Sequence, residues 1–272
     1  MSERNLDRAS FLKSRRRRLT PEQVGLPANS RRRTTTLRRE DVASLSDVGL
    51  TWYTWLEQGR PIKIASATLA RVAATLQLDD SETEYLQKLV RQDSKQRANW
   101  RAPVATRYRS LVESYTAGHA FVMGPRWDIL AWNARFGELF EFRDGASGDL
   151  GLDRNGLWLM FAHQRARRLF PDWDTIAGRM VATFRVKYAD YAREEGFTEL
   201  IDVLTSSCPE FSSMWSHGEV LSPARWSVGE IRDPRSGRVA ALDTVSFCVP
   251  DAPGQTVVFL LPASPDEEPP MH

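Results

Sequence analysis

Three consecutive arginines, Arg31, Arg32 and Arg33, are followed closely by Arg38 and Arg39. Guanidinium groups grip phosphate in bidentate fashion and release its condensed counterions, so this cluster has the chemistry of a polyanion contact. A solvated basic face is the competing reading of such a run. Further along, the segment LTWYTWLEQGR carries Thr51, Thr54, Trp55 and Arg60. A threonine hydroxyl can bond a base edge or a phosphate, and its methyl can meet a thymine. An exposed indole is costly unless it packs on something, although Trp52 and Trp55 could equally fill a small core. Arg31, Arg32, Arg33, Arg38, Arg39, Thr51, Thr54, Trp55 and Arg60 form the candidate DNA-binding set.

The second half of the chain offers different material. It holds Trp127, Trp132, Trp158, Trp173, Trp215 and Trp226, six of the nine tryptophans. Apolar walls with a few polar anchors are what a small-molecule pocket needs. The candidate ligand-binding set is therefore Trp127, Trp132, Asn133, Asn155, Trp158, Phe161, Trp173 and Trp215. Core packing competes for the aromatics, and helix capping competes for Asn133 and Asn155.

The chain has two cysteines and four histidines, none in metal-ligand spacing, so a disulfide framework and a thiolate zinc site are excluded. No Gly-rich phosphate loop or nucleophile constellation is present, which argues against an enzyme, and no cofactor is expected. A redox-sensing Cys208 or a haem held by His163 is the alternative sensor chemistry.

These residues need elements to position them. Residues 4 to 18 place Leu6, Phe11 and Leu12 among arginines, and Thr20-Pro21-Glu22-Gln23 carries a capping-box pattern. Gly25 to Thr36 reads as a loop holding the arginine run. Helix resumes over 37–45 with Leu37, Val42 and Leu45 on related faces, breaks at Asp47-Val48-Gly49, and restarts over 50–58. A helix, a tight turn and a second helix is the geometry that lays the second helix in the major groove. Tyr53 and Leu56 suit its inner face, leaving Thr51, Thr54 and Trp55 outside. Ser66 can cap a helix with Leu69, Val72, Ala73 and Leu76 at i, i+3, i+4 and i+7, and Asp79 with Glu82 opens another with Tyr85, Leu86, Leu89 and Val90.

After a polar stretch at 93–103 the pattern mixes. A helix over 104–115 precedes the strands HAFVM and DILAW and a helix over 133–142. Helical patterns run from about Leu157 to His217, broken at Pro171 and Cys208-Pro209. ARWSVGEIR, RVAALDTVSFCV and QTVVFLLP then read as an antiparallel sheet. The expected architecture is multidomain: an all-α helix–turn–helix domain of about five helices over 1–92, a linker over 93–103, an α+β sensor domain over 104–262 and a disordered tail over 263–272.

Composition agrees with two ordinary domains in 272 residues, at 42% hydrophobic and 26% charged. Residues 1–110 hold 22 Lys+Arg against 12 Asp+Glu, whereas 111–272 hold 15 against 23. The basic half invites a polyanionic partner; a protein–protein module with an acidic partner is the rival. No apolar run suggests a membrane span or a secretion signal, so a cytoplasmic chain is expected.

The segment RRRTTTLRREDVASLSDVGLTWYTWLEQGR resembles the MmyB-like subgroup of xenobiotic-response-element helix–turn–helix regulators. The resemblance continues through RWDILAWN, RNGLWLMF, Asp172-Trp173, SSCPEFSSMW and DAPGQTVV. It implies a bacterial transcription regulator that binds a double-stranded operator, with a PAS-like domain for a small apolar ligand, fatty acids being the favoured class. The chain departs from the pattern at Asp233-Pro234, where His-Pro is usual, and at Thr35-Thr36, where Pro-Gly is usual. Regulators of this kind pair on pseudo-palindromic sites, so a homodimer is expected.

Overall fold

The computed structural model describes residues 3–27, 35–62, 64–90, 101–142, 151–191, 194–221 and 229–263. By contacts the chain divides into two units: residues 1–95 with 182–198 and 214–222, and residues 96–181 with 199–213 and 223–272.

The first unit is helical. Helix α1 (Glu3–Arg18) buries Phe11 and Leu12, with Leu19 just beyond, whereas Leu6 stays 49% exposed. A 3-10 turn at Glu22–Val24 follows, where the Gln23 side chain accepts the Thr20 N–H at 2.8 Å. Helices α2 (Arg39–Leu45) and α3 (Leu50–Glu57) flank a turn in which Asp47 adopts φ 51°. Asp is among the few non-glycine residues that tolerate this left-handed region. Arg71, from α4 (Ser66–Thr75), donates its Nε to the Ser46 carbonyl at 2.9 Å, and Ser46 Oγ bonds Thr75 Oγ1 at 2.9 Å. The turn is thus fixed by the next helix.

Leu45 corrects the expectation: at the last residue of a short helix it points away, 41% exposed, and Ala43 takes its place beside Val42 in the core. Ser66 is the first residue of α4 rather than its cap, since Ala65 holds the cap position with no side-chain bond. The apolar set Leu69, Val72, Ala73 and Leu76 is buried as the spacing predicts. Before α5 (Asp80–Val90), Asp79 N–H donates to Glu82 at 3.2 Å while Glu82 N–H donates to Asp79 Oδ1 at 2.8 Å, a reciprocal capping box. Tyr85, Leu86 and Leu89 then close the core. Val186, Ala189 and Val220 pack into the same cluster, so this core draws on chain far from the N-terminus.

The second unit is an α+β sheet domain. Strands β1 (His119–Met123), β2 (Ile129–Trp132), β3 (Gly229–Arg232), β4 (Val239–Cys248) and β5 (Thr256–Pro262) form an antiparallel sheet in the order β2-β1-β5-β4-β3. Phe121 pairs with Val258 and with Trp132, which puts β1 between β2 and the central strand β5. Alternation gives the sheet two apolar faces. Ala120, Val122, Ala131 and Val257 pack with Val112 of α6 (Thr106–Ser114). Phe121, Met123, Ile129 and Leu260 point the other way.

The helical patterns between β2 and β3 resolve into α7 (Ala134–Phe140), α8 (Gly156–Phe161), α9 (Ala166–Leu169), α10 (Trp173–Tyr191), α11 (Glu195–Ser207) and α12 (Pro209–His217). Among the described residues no helix is long and apolar enough to cross a membrane.

Candidate functional site

On α3 the inner residues Tyr53 and Leu56 are fully buried, and the opposite side carries Leu50, Thr51 and Trp55 exposed, with Thr54 and Trp52 half-buried. Trp55 is 40% exposed, and the Arg60 guanidinium lies 5.8 Å from its ring centre, so cation and indole share one surface. Trp52 packs against the core from its edge. Arg31, Arg32 and Arg33 lie outside the described residues.

Arg39 is bound into the fold. Glu57, whose side chain has no exposure, accepts Arg16 Nε at 2.6 Å, Arg16 Nη2 at 2.9 Å and Arg39 Nε at 2.8 Å. Burial pushes the Glu57 carboxyl up, but hydrogen bonds and attraction from Arg16, then Arg39, outweigh it and hold the group below the ordinary carboxylate range. One carboxylate thereby ties α1, α2 and α3 together and sets the angle of α3. Arg38 occupies the N-cap position of α2, its N–H donating to Asp41 at 2.8 Å and its guanidinium meeting Glu40 at 3.2 Å. A second buried carboxylate, Glu82, holds Arg15 at 2.8 Å and Arg18 at 2.9 Å, locking α5 to α1.

In the sheet domain, the inner sheet face and the helices over it line an apolar cavity of about 70 Å³. Phe121, Met123, Ile129, Ile231 and Leu260 form its floor. Phe136, Leu139 and Phe140 come from α7, Leu159 and Met160 from α8, and Ile176 and Met180 from α10. Trp127 closes one side. It holds φ 67°, a strained conformation for a bulky residue, and is kept there by its surroundings. Its N–H donates to the Gly124 carbonyl at 2.9 Å, and its carbonyl accepts the Gly156 N–H at 2.8 Å. Flanking it, Arg126 Nε lies 2.9 Å from Asp128, a pair with side-chain exposures of 7% and 1%.

Asn155 completes this support: its Nδ2 donates to the Arg126 carbonyl at 2.7 Å and to Asp128 at 3.1 Å, while its Oδ1 caps α8 through Leu157 and Trp158. Asn133 likewise caps α7 through Phe136 and donates to the carbonyls of Tyr115 and Gly118. Both amides are spent on the scaffold.

Of the expected ligand residues, Trp127 lines the cavity and the others are placed elsewhere. Trp132 borders an outer groove with Glu141 and Arg165. Trp158 is half-buried on α8. Trp173 donates its indole N–H to the Met160 carbonyl at 2.9 Å and meets Phe161 edge-on, and Phe161 in turn meets Phe211. Trp215 belongs to the first unit, with Arg185 stacked 3.9 Å from its ring and Tyr188 edge-on to it. Trp226 lies outside the described residues. The lining residues that tryptophan content missed, such as Phe121 and Leu260, share a signal, the alternation of their strands.

Cys208 is buried, and burial together with Glu210 pushes its thiol up, the opposite of what a reactive sensor thiolate needs. Among the described residues no group of three His, Cys, Asp or Glu is placed to hold a metal ion.

The family model described as MmyB-like transcription regulator ligand binding domain matches residues 104–270. No curated protein matches the chain.

Proposed function

The chain belongs to the MmyB-like transcription regulators, with residues 104–270 as the ligand-binding domain, and on that premise we propose that it is a sequence-specific DNA-binding protein controlled by a small apolar ligand. The exposed side of α3 carries the DNA half of this reading. Thr51 and Trp55 stand outward beside Arg60, on a helix held by the buried Glu57 carboxylate that Arg16 and Arg39 share. In a helix–turn–helix, α2 crosses the backbone and α3 enters the major groove, with Arg31, Arg32, Arg33, Arg38 and Arg39 near phosphates. The DNA-binding domain spans 1–92 and the linker 93–103. A homodimer places two such helices about 34 Å apart on a pseudo-palindromic operator.

The apolar cavity carries the ligand half. Its residues are hydrocarbon, aromatic or thioether in character, which suits the long-chain fatty-acid class that the resemblance implies. The sheet order β2-β1-β5-β4-β3, with helices inserted between β2 and β3, supports a PAS-like fold over 104–262.

The test is duplex DNA selected from a random pool by the full chain. Thr51→Ala weakens the selected site by about 1 to 3 kcal/mol and leaves nonspecific binding little changed. Alanine at Arg31, Arg32 and Arg33 weakens all sequences alike and flattens the log–log salt slope by about 0.9 per lost phosphate contact. A chain that binds no duplex in a salt-dependent way would instead favour an acidic protein partner.

A further inference from the structure

Resting on the DNA-binding reading of α3, we infer that Leu50 reads the 5-methyl group of a thymine in the major groove, so the operator carries a thymine at that step. Leu50 opens α3 and is 47% exposed, on the same side as Thr51 and Trp55. At about 100° per residue the outer arc of the helix runs Leu50, Thr54, Thr51, Trp55, so leucine and indole flank the two threonines. The fold keeps Leu50 there. Tyr53 and Leu56 fill the inner side at 0% exposure, and Glu57 accepts Arg16 at 2.6 Å and Arg39 at 2.8 Å. Turning α3 far enough to bury Leu50 would break both arrangements. The turn before it is equally fixed, with the Val48 N–H donating to the Ala43 carbonyl at 3.0 Å and Arg71 to the Ser46 carbonyl at 2.9 Å. A single exposed leucine means little on most surfaces, but this one stands at the helix end that a helix–turn–helix presents to base edges.

Most of what a base pair shows in the major groove is a donor or an acceptor, and the thymine methyl is its apolar landmark. Leucine has no hydrogen-bonding group in its side chain and so answers none of the polar code. Against guanine O6 and N7, or the amino group of adenine or cytosine, it strips water from a polar edge and returns no bond, which costs free energy. Against a thymine methyl it buries hydrocarbon on both partners. The preference therefore has an attractive and a repulsive part. Thr51 is the less selective neighbour, because its hydroxyl serves bases and phosphates alike. Leu45 is 41% exposed but ends α2, the helix that crosses the backbone, so a leucine there gains nothing from sequence.

The experiment uses the full chain and the duplex it selects from a random pool, with each thymine replaced in turn by uracil, which deletes the methyl and keeps the base pair. At one thymine, uracil weakens binding about fourfold, the worth of one buried methyl-sized group. Leu50→Ala binds the thymine and uracil duplexes equally at that step, Leu50→Met keeps most of the discrimination, and Leu45→Ala keeps all of it. Leu50→Ala melts with the parent chain, since the side chain is on the surface and alanine is the better helix former. If uracil weakens the parent chain at no position, the inference is overturned and DNA binding stands. A uracil effect that survives in Leu50→Ala, or that Leu45→Ala also erases, overturns it too. A full chain that selects no duplex refutes the DNA-binding reading, and the inference falls with it.

Discussion

Replacing Glu57 by glutamine keeps the shape of the side chain and removes the one charge that two guanidinium groups share. Arg16 is 11% exposed and Arg39 41% exposed, so the variant buries most of one cation without a counter-ion and lets the other rehydrate. Breaking a buried pair costs about 3 to 5 kcal/mol, and the partial exposure of Arg39 puts this case near 3. Arg16 keeps its bond to the Leu37 carbonyl at 2.7 Å, which argues against a larger loss.

The assay is native-state amide exchange at Tyr53 and Leu56 on the inner side of α3. A loss of about 3 kcal/mol speeds their exchange roughly a hundredfold, at 1.36 kcal/mol per factor of ten. Acceleration below about tenfold would refute the triad as the fixture of α3. The pH dependence gives a second check. The folded carboxyl of Glu57 titrates below its unfolded value, so its stabilisation is complete above about pH 4.3 and is lost as pH falls through the folded value. The glutamine variant lacks that acid-side loss.

Two further outcomes follow from the packing. Asn155→Ala removes the α8 cap and the partner of the Arg126 carbonyl, so thermal unfolding of the sheet domain shifts downward by about 1 to 2 kcal/mol or more, and an unchanged transition would show the cap to be dispensable. A fragment of residues 1–95 lacks Val186, Ala189 and Val220 from its own core and the Gly218 carbonyl that Arg15 donates to at 2.8 Å, so it melts well below the same helices in the full chain; an equal melting temperature would contradict that share of the core.

The local elements were legible because their signals are local. Leu69, Val72, Ala73 and Leu76 declare one helix face, Asp79 and Glu82 cap each other across one turn, and Asn133 and Asn155 sit where chains enter helices. The cavity was not legible. Its floor joins Phe121, Ile231 and Leu260 from three strands, and alternation gives two faces without saying which one lies under α7 and α8. Tryptophan content does not reveal packing partners either: Trp173 bonds the Met160 carbonyl and Trp215 stacks with Arg185. Nor does the periodicity of 182–191 reveal that Val186 and Ala189 serve a core built around Leu12 and Tyr85. Cavity size is equally invisible in sequence. At about 70 Å³ the space is less than half of an engineered cavity of about 150 Å³ that accepts benzene, and three adaptable side chains, Met123, Met160 and Met180, line it.

The central claim is that cavity occupancy and DNA binding are one equilibrium. It is tested by the affinity of the full chain for its selected duplex, measured with and without a saturating long-chain fatty acid, dodecanoic acid. A ligand changes DNA affinity only if it binds the DNA-competent and incompetent states differently, and coupling of about 1 to 3 kcal/mol gives a change of roughly 5- to 150-fold. The same factor must appear when the fatty acid is titrated with and without the duplex. Equal DNA affinities under a ligand that demonstrably fills the cavity would contradict the claim.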